Sequence, residues 1–499
     1  MESVRRKSLG PDGNQLIARA NQKSIPLLWD RYESQLPLDG FAENGLTCHD
    51  CLYGPCRINP FGDKPTQGIC GADRQQVVLQ SIFQAVRKGV LESARELSFP
   101  AAREKAWEGL TLPDPHFADK SYLTLSLMNL LKLGNVQYQI SALASKAFPN
   151  KKKGQRHPPP QSLDLRTGAN IFLEGGAPIT LVERLLQGFR KEKSELRLLA
   201  GEGSEHLRRW GVWVVSLGHP ELMLLTGGID ALVMHNQGRE PFLANLAEQL
   251  GIKVFRAGTD SAGMAALTAR KALEAFQSRV KRGADPFPPI LQLPGEENTH
   301  KLLGQAKKVG ALLKSKKLRG AALLLGEFNV KQTFFERTRT IIQKLLKEDV
   351  LVFIGGGLFA SQPILESLIE PGIGKKLKAF LEELNESSPL FGFGSTYELP
   401  GVIEFLSSLD PRKGLKGIRT VAVFPEMHRW ASVSWAFGLL SLGIPVQIGT
   451  RLPFWGSPEL AEVLVQELKA ICRAEFLVAP SLAGPEEQAE EILRRLSYE

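Results

Sequence analysis

The sequence lacks an uninterrupted hydrophobic run that would suit a membrane span. Its longest uncharged run, VSWAFGLLSLGIPVQIGT at 433–450, contains glycine, serine and an internal proline. A spanning helix needs about 20 predominantly apolar residues, so a buried helix that leads into a strand is the better interpretation. The opening stretch MESVRRKSLGPDGNQ has charge but no apolar core, which predicts no signal peptide. These features predict a cytoplasmic protein without a membrane span.

Cysteine is also scarce, and its few copies are concentrated. The 499 residues include five cysteines, and three of them, Cys48, Cys51 and Cys56, lie close together. Cys70 follows shortly afterwards, whereas Cys472 is remote from the other four. Cytoplasmic thiols stay reduced, so such a tight group points to a metal rather than to disulfides. Cys472 stands alone on a helical pattern, which predicts a buried structural thiol.

A concentrated basic region is missing as well. The formal net charge is +9, but Lys and Arg are spread along the chain. The one short basic run, KKKGQRH at 151–157, abuts prolines, which favours a solvated linker. We therefore predict no nucleic-acid partner. A second use of the same charge stays open, namely docking of an acidic redox partner such as a ferredoxin or a larger redox complex.

The pattern of apolar residues divides the chain into three parts. The first part is mostly helical, with apolar residues at helical spacing in DRQQVVLQSIFQAVRKGVLESARELSF after Cys70. Beyond KKKGQRHPPPQ, short apolar strands alternate with amphipathic helices, as in ANIFLEGG, GIDALVMHNQG, RGAALLLGEF and DVLVFIGGG. A second break, RGADPFPPILQLPGEEN, interrupts this alternation. We predict an α/β fold, with an N-terminal helical domain at 1–160 and two Rossmann-like doubly wound α/β domains at 161–295 and 296–499.

The four clustered cysteines have the spacing Cys-x2-Cys-x4-Cys-x13-Cys. Four thiolates suit either tetrahedral zinc or a [4Fe–4S] cluster. A zinc ribbon usually pairs two Cys-x2-Cys knuckles, and this segment has one. Gly54, Gly68 and Gly71 keep the backbone close to a bulky centre and leave N–H groups free for sulfide. The spacing alone favours the iron–sulfur cluster and leaves zinc open.

The residues around these cysteines resemble one family. RYESQLPLDGFAENGLTCHDCLYGPCRINPFGDKPTQGICGAD closely resembles the N-terminal cluster-binding segment of the anaerobic nickel-containing carbon monoxide dehydrogenases, within the hybrid-cluster (prismane-like) superfamily. LTGGIDALVMHNQG, LRGAALLLGEFNVKQT, LKEDVLVFIGGG and GSPELAEVL are similar to further family segments in the same order. The resemblance covers nearly the whole chain, apart from a shortened helical domain, and implies a helical domain with two Rossmann-like domains. It also implies that Cys48, Cys51, Cys56 and Cys70 hold the family's electron-relay [4Fe–4S] cluster.

The same resemblance implies that the other metal sites of the family are missing. Family members hold a bridging cluster on the dimer axis with two further cysteines, and here Asp39 and Thr47 stand at those positions. The ligands of the nickel–iron–sulfur cluster, a lysine and the proton-relay histidines are also replaced. Their positions fall on Glu174, Gly175 and Gly176, on AGEGSEH at 200–206, and on Gly238, Glu327, Gly357, Thr396, Trp430 or Ala431, Ser93, Glu96 and Phe99. The resemblance therefore implies a nickel-free chain without a bridging cluster.

Polar residues at or near strand ends leave two interpretations of the vacated pocket. These residues are Glu174, Glu202, Glu205, Glu240, Glu327, Glu426, His206, His219, His235 and His428. They offer ligands for a mononuclear or dinuclear iron, manganese or zinc site. Arg239 and Arg429 lie close by in sequence, however, and buried carboxylates more often pair with arginine. We favour a filled, salt-bridged pocket over a new metal or small-ligand site.

Together these inferences predict a degenerate family member. We expect a one-cluster iron–sulfur protein of an anaerobe that serves as an electron-transfer subunit or redox scaffold and does not itself oxidise carbon monoxide. Because the family dimerises around its N-terminal clusters, we expect a homodimer, or a heteromer through the same surface. The alternatives are an oxidoreductase with new chemistry in the remodelled pocket and a genuine carbon monoxide dehydrogenase whose ligands lie elsewhere.

Overall fold

The computed structural model describes most of the chain. The described residues are 6–98, 100–112, 120–148, 162–189, 196–235, 240–257, 261–294, 298–478 and 484–497. The predicted linker at 151–161 lies outside them, as do Phe99, Gly238 and Arg239.

The N-terminal part is helical, as the sequence predicts. Its elements are α1 (Pro11–Gln22), α2 (Leu28–Ser34), α3 (Gly40–Glu43), β1 (Thr47–Cys48), β2 (Cys56–Arg57), α4 (Arg74–Leu97), α5 (Pro100–Leu110) and α6 (Lys120–Ala147). β1 and β2 pair antiparallel. They form the base of the cysteine segment, which we define as residues 47–72.

Helix α4 begins directly after the cysteine segment because Asp73 and Gln76 cap it. Asp73 Oδ1 accepts a hydrogen bond from the Gln76 N–H at 2.9 Å, and Gln76 Oε1 accepts one from the Asp73 N–H at 2.8 Å. This reciprocal pair satisfies N–H groups that the start of a helix leaves unpaired. The cap therefore fixes the point where the cysteine segment joins the helical core.

A five-stranded parallel sheet follows, with the order β6-β5-β4-β7-β8. A separate antiparallel pair joins β3 to β9. The elements of this part are β3 (Ser162–Asp164), β4 (Ala169–Leu173), α7 (Ile179–Phe189), β5 (Leu196–Ala200), β6 (Trp213–Val214), α8 (Pro220–Leu225), β7 (Ala231–His235), α9 (Pro241–Gln249), β8 (Lys253–Ala257), α10 (Ser261–Lys281) and β9 (Ile290–Gln292). A short 3₁₀ helix, Glu205–Trp210, follows β5.

The C-terminal part contains a six-stranded parallel sheet, with the order β12-β11-β10-β13-β14-β15. Its elements are α11 (Thr299–Leu303), α12 (Ala306–Lys314), β10 (Gly320–Leu324), α13 (Glu336–Lys347), β11 (Val350–Gly355), α14 (Gly357–Ala360), α15 (Gln362–Leu368), α16 (Lys375–Glu383), β12 (Leu390–Gly394), α17 (Leu399–Ser408), β13 (Thr420–Phe424), α18 (Trp430–Ser441), β14 (Val446–Ile448), α19 (Pro458–Cys472), β15 (Phe476–Val478) and α20 (Pro485–Arg495). Strands β10 to β13 are buried at every position. This continuous burial is typical of a parallel sheet covered on both faces.

Helix α18 joins the helical part to the C-terminal sheet, because it packs against both α4 and α6. These contacts require glycine. A Cβ on Gly134 of α6 would lie 2.5 Å from the carbonyl carbon of Phe437, and one on Gly89 of α4 would lie 2.1 Å from the carbonyl oxygen of Trp430. The close approach brings the N-cap residue of α18, Arg429, to the face of α4.

The predicted α/β fold with parallel sheets is confirmed. The uncharged run at 433–450 contains most of α18, a turn and β14, and the described chain includes no helix long and apolar enough to cross a membrane. Strand β12 is not among the predicted strands, because two glycines in LFGFG weaken its apolar pattern. The domain boundaries at 160 and 295 stay predictions.

Candidate functional site

The cysteine segment brings two of its thiols together through strand pairing. Cys48 and Cys56 are directly opposite each other in the β1–β2 pair. The Ile69 N–H donates a hydrogen bond to Cys56 Sγ at 3.4 Å, which draws the stretch before Cys70 onto the same sulfur. Cys51 lies in the turn between the two strands, where its carbonyl accepts the Gly54 N–H at 3.2 Å. The four cysteines therefore lie in a single loop at the surface.

The donor chemistry of this loop, four thiols, suits an iron–sulfur cluster. In the described residues, no group of three or more His, Cys, Asp and Glu side chains is positioned to hold a metal ion. Burial raises the pKa of the Cys48 thiol, whose Sγ lies 3.6 Å from Asp50 Oδ2. Cys51 and Cys70 are exposed. The four cysteines therefore stay a predicted ligand set, supported by their shared loop and by an N–H···S contact of the kind that supports cluster thiolates.

Large apolar side chains stand in solvent on the cysteine segment. Leu52, Tyr53, Phe61 and Ile69 are each at least 67% exposed, and we call them the exposed patch. Apolar residues of this size are usually buried. Exposed apolar groups gathered on one segment mark a candidate contact surface.

Both positions that the resemblance assigns to the bridging cluster have structural surroundings of their own. Asp39 is the N-cap of α3, and its Oδ1 accepts the N–H of Phe41 at 2.9 Å and that of Ala42 at 3.4 Å. Thr47 belongs to β1 and pairs with Arg57. Asp39 therefore stabilises a helix start, in the way expected of an N-cap carboxylate.

A second site forms where strand ends of both parallel sheets meet α4, and we call it the Arg429 pocket. The residues that line it and matter below are Ser93, Glu96, Glu205, His206, Glu327, Gly357, Thr396, Tyr397, Arg429, Ala431, Ser432 and Trp435. Most of these positions are ones that the resemblance assigns to the catalytic cluster and its surroundings. Tertiary folding thus brings together residues that are hundreds of positions apart in the sequence.

Arg429 fills the centre of this pocket. Its Nε lies 2.7 Å from Glu92 Oε1, and its Nη2 makes a short ion pair with Glu96. The second oxygen of Glu96 accepts a hydrogen bond from the Tyr397 hydroxyl at 2.9 Å. Arg429 Nη1 donates to the carbonyl of Gly203 at 3.3 Å. The pocket is therefore filled and salt-bridged, as predicted. The carboxylates that pair with Arg429 are those of Glu92 and Glu96 on α4, which were not among the strand-end residues of the prediction.

Within the described residues, the hydrogen bonds of Glu174 and Glu327 come from groups other than arginine. Both carboxylate oxygens of Glu327 face the Ser432 hydroxyl, at 2.8 and 3.0 Å. Glu174 accepts backbone N–H groups of His235 and Glu240, at 3.4 and 3.2 Å. Arg429 itself is turned towards α4, where it pairs with Glu92 and Glu96.

Gly357 leaves the space that the Glu327 side chain occupies. A Cβ at position 357 would lie 2.7 Å from Glu327 Cγ. Any side chain at 357 would therefore displace Glu327 from Ser432. The resemblance matches both positions to cysteines. In this chain the Glu327 side chain occupies the space that the missing side chain of Gly357 leaves.

Burial changes the protonation of the acidic groups around the pocket. It raises the pKa of Glu205 to about 7 and that of Glu202 to about 8. Glu202 is held by the hydroxyls of Ser216 and Ser361, at 2.5 and 2.8 Å. Burial, with a smaller effect of Arg429, lowers the pKa of His206 to about 3, so this imidazole is neutral. His206 therefore adds no charge to the pocket beside the Arg429 ion pairs, and Glu205 is partly protonated near pH 7.

The remaining predicted site residues lie outside the pocket. Glu240 and His219 contact each other at 3.6 Å. The ring of His235 contacts the Gly175 carbonyl at 3.2 Å, that of His428 contacts the Phe328 carbonyl at 3.0 Å, and Glu426 accepts the Asn329 N–H at 3.0 Å. Cys472 is half-buried and donates to the Leu468 carbonyl at 2.7 Å. The ten residues predicted at strand ends therefore do not form one ligand set.

Sequence reasoning missed Glu92, Tyr397, Ser432 and Trp435. One signal was available for Glu92, because residues four positions apart share a helix face and Glu96 was already a candidate. The other three residues carry no motif. Their contact with the pocket depends on which strand ends meet.

The pocket does not fit the nickel–iron–sulfur cluster. No cysteine of the described chain lines it, and its donors are carboxylates, hydroxyls and one imidazole. Such hard oxygen donors suit neither nickel in a sulfide cluster nor its thiolate-bound irons. Its free volume is about 10 Å³, which is the space that one water molecule needs.

Sequence comparison finds carbon monoxide dehydrogenases along the whole chain. Carbon monoxide dehydrogenase 2 of Carboxydothermus hydrogenoformans is 24% identical over 619 aligned positions, which cover 97% of this chain and 96% of the relative. The subunit beta of a carbon monoxide dehydrogenase/acetyl-CoA synthase from Moorella thermoacetica is 21% identical, over 99% of this chain and 93% of that one. A carbon monoxide dehydrogenase of Rhodospirillum rubrum reaches 44% identity over 75 residues, which are 15% of this chain and 12% of the relative. No protein-family model matches the chain.

Solved structures share the fold. A chain of an acetyl-CoA synthase/carbon monoxide dehydrogenase structure superposes with a TM-score of 0.78 at 19% identity, covering 99% of this chain and 94% of that chain. A nickel-free carbon monoxide dehydrogenase from Thermococcus sp. AM4 superposes with a TM-score of 0.77 at 20% identity, covering 98% and 96%. The chain is therefore similar to carbon monoxide dehydrogenases along its whole sequence and shares their fold, which fits a divergent member of that family.

Proposed function

We propose that this protein carries one [4Fe–4S] cluster on Cys48, Cys51, Cys56 and Cys70 and has lost the oxidation of carbon monoxide. It acts as an electron-transfer subunit or redox scaffold in the cytoplasm of an anaerobe. One observation carries the proposal: the Arg429 pocket is filled by hydrogen-bonded side chains, whereas the four cysteines lie in one segment at the surface, where strand pairing places Cys48 opposite Cys56.

The cysteine segment supplies what a relay site needs. When bound, a [4Fe–4S] cluster accepts and donates single electrons. The antiparallel pairing of Cys48 with Cys56 sets the separation of two ligands, and the Ile69 N–H donates to one of the sulfurs. N–H···S hydrogen bonds and solvent exposure both influence cluster potential. Because Cys51 and Cys70 are exposed, electrons would have a short path to a docked partner.

The Arg429 pocket offers no group, among the described residues, that would replace the missing catalytic ligands. Its arginine is committed to Glu92 and Glu96, and Glu327 is held by Ser432. Gly357 has no side chain to donate, and its surface is covered by Glu327. These contacts favour a structural pocket over a new iron, manganese or zinc site.

Assembly through the cysteine segment is part of the proposal. The exposed patch of Leu52, Tyr53, Phe61 and Ile69 would be covered in a homodimer, or in a heteromer that uses the same surface. An acidic redox partner, such as a ferredoxin or a larger redox complex, suits the formal net charge of +9.

Metal analysis of anaerobically purified protein tests the cluster. We expect about four irons and four sulfides per chain, as one cube held by four cysteines requires, together with an EPR signal on reduction and no stoichiometric nickel. Cys51→Ala or Cys56→Ala should remove the iron and the signal. Cys472→Ala is the matched control, because it deletes a thiol outside the segment, and it should retain both. Zinc in place of iron would contradict a redox role.

An assay of carbon monoxide oxidation with a viologen acceptor tests the loss of activity. Turnover should stay at background after nickel is supplied. Stoichiometric nickel with nickel-dependent turnover would show a genuine carbon monoxide dehydrogenase instead. A rise in melting temperature with Mn²⁺, Fe²⁺ or Zn²⁺ that disappears in Glu327→Ala would support new metal chemistry, because ligands of the native state stabilise it by mass action.

A further inference from the structure

Two buried nitrogens beside the Arg429 pocket have no hydrogen-bond partner within the described parts of the chain. They are His206 Nε2 and Trp435 Nε1. Both side chains are only 1% exposed, and both line the pocket. Buried polar groups in folded proteins are nearly always paired with protein or with ordered water. The pairing of these two nitrogens therefore calls for a partner inside the pocket.

The pocket wall around these nitrogens is polar, but none of its described side chains forms a hydrogen bond with either nitrogen. Glu205 and Glu327 present carboxyl groups to the same space, each 4% exposed or less. Arg429 and Tyr397 are turned towards Glu92 and Glu96. The indole N–H of Trp435 donates only. An occupant that pairs with both nitrogens must therefore accept a hydrogen bond from the indole and must donate to, or accept from, the imidazole of His206.

The size of the space restricts the occupant further. Its volume of about 10 Å³ suffices for one water-sized molecule. An anion of this size is disfavoured, because it would face the carboxyl groups of Glu205 and Glu327. A monovalent cation could not accept from the indole and would lie close to the Arg429 guanidinium.

We propose that the pocket is a binding site for a single water molecule, held by Trp435, His206 and the carboxyl groups of Glu205 and Glu327. The neutral imidazole of His206 serves as either donor or acceptor, and water supplies both functions. The site joins the 3₁₀ helix after β5 to α18, so the water bridges the two parallel-sheet regions. This inference goes beyond the proposed function and does not rest on it.

Crystals of the anaerobic wild-type protein test the site directly. We expect one electron-density peak within hydrogen-bonding distance of both His206 Nε2 and Trp435 Nε1. A soak in a thallium salt should give no anomalous peak there, and xenon under pressure should not enter. A thallium peak would identify a monovalent cation site, and xenon would identify a dry cavity. Either result overturns the proposal, as does an absence of density where other buried waters are ordered.

A pair of matched variants checks that the water depends on the indole N–H. Trp435→Phe should weaken or remove the peak, because it removes the donor and keeps an aromatic ring. Trp29→Phe is the control. Trp29 is another buried tryptophan, 3% exposed, but it lies against Phe334, away from the pocket, so this variant should keep the peak. An unchanged peak in Trp435→Phe would contradict the assignment of the indole as a water ligand.

Discussion

The protonation of the Glu202 carboxyl group differs between the folded and the unfolded chain. Burial raises its pKa from 4.5 to about 8 in the folded protein. Between these two values the folded chain binds one proton more at this site than the unfolded chain does. Each rise in pH across this range therefore lowers the free energy of unfolding.

Glu202→Gln should flatten this dependence. The amide stays neutral at every pH and keeps an oxygen for the hydroxyls of Ser216 and Ser361. From pH 5 to 8, urea unfolding of the variant should show a slope shallower by up to about 1.4 kcal/mol per pH unit, the value of one proton. Glu382→Gln, at an exposed position of α16, makes the same chemical change and should leave the slope as it is. Parallel curves for the wild type and Glu202→Gln would show that Glu202 is ionised throughout.

Arg429 stabilises the pocket by compensating two buried carboxylates. Glu92 is 3% exposed and Glu96 is 5% exposed, and both pair with this guanidinium. Arg429→Met leaves two buried charges without this cation. We expect it to lower the free energy of unfolding by about 3–5 kcal/mol, as breaking a buried pair does.

The control for Arg429 is an exposed ion pair. Arg494 lies 2.7 Å from Glu491 and is 71% exposed, so Arg494→Met should cost less than about 1 kcal/mol. Adding Glu92→Gln and Glu96→Gln to Arg429→Met should restore part of the lost stability, because the uncompensated charges are removed. Equal costs for Arg429→Met and Arg494→Met in denaturant titrations would refute the compensation argument.

At the scale of elements, the packing of α18 against α6 depends on two glycines that face each other, Gly134 and Gly438. The Cβ of an alanine at 134 would meet the backbone of Phe437 at 2.5 Å and that of Gly438 at 2.6 Å. Backbone atoms of a buried helix cannot move aside cheaply. Gly134→Ala should therefore reduce the free energy of unfolding by about 1–3 kcal/mol, the usual cost of overpacking.

Gly401→Ala provides the matched comparison for Gly134→Ala. Gly401 lies on α17 and is exposed, and an alanine Cβ at this position would have no neighbouring atom within 4 Å. Alanine there should stabilise the protein by about 0.4–1 kcal/mol, because it restricts the unfolded chain. Thermal or urea denaturation would therefore shift in opposite directions for the two glycines. A neutral Gly134→Ala would mean that α18 and α6 separate easily.

At the scale of the whole molecule, the exposed patch predicts a homodimer or heteromer formed through the cysteine segment. Phe61 is 88% exposed there. Phe61→Asp should raise the dissociation constant of the dimer by at least about tenfold, since a central aromatic contact is commonly worth about 2 kcal/mol or more. Anaerobic sedimentation measures this change. Trp107→Asp alters an aromatic residue of similar exposure on α5, away from the segment, and should not affect assembly. A wild-type monomer at micromolar concentration would count against a homodimer.

The sequence by itself determined the elements whose signals are local. The spacing of the four clustered cysteines, for example, follows from the order of residues alone. Strands β4, β7, β10 and β11 are predicted by continuous apolar runs, because both faces of a parallel sheet are buried. The apolar and proline pattern at 433–450 predicts the helix and strand that α18 and β14 form. The resemblance also matches Glu327, Gly357 and Thr396 to positions at which family members have cysteine ligands.

Only the tertiary structure decided how the vacated pocket is filled. Arg429 lies 337 positions from Glu92 and 333 from Glu96, and no local pattern connects them. Their pairing depends on the close approach of α4 to α18 at Gly89. The fit of Glu327 beside Gly357 likewise depends on the adjacent ends of β10 and β11. Side-chain pairing of this kind is set by the relative position of distant backbones, because hydrogen bonds and ion pairs act only over a few ångströms.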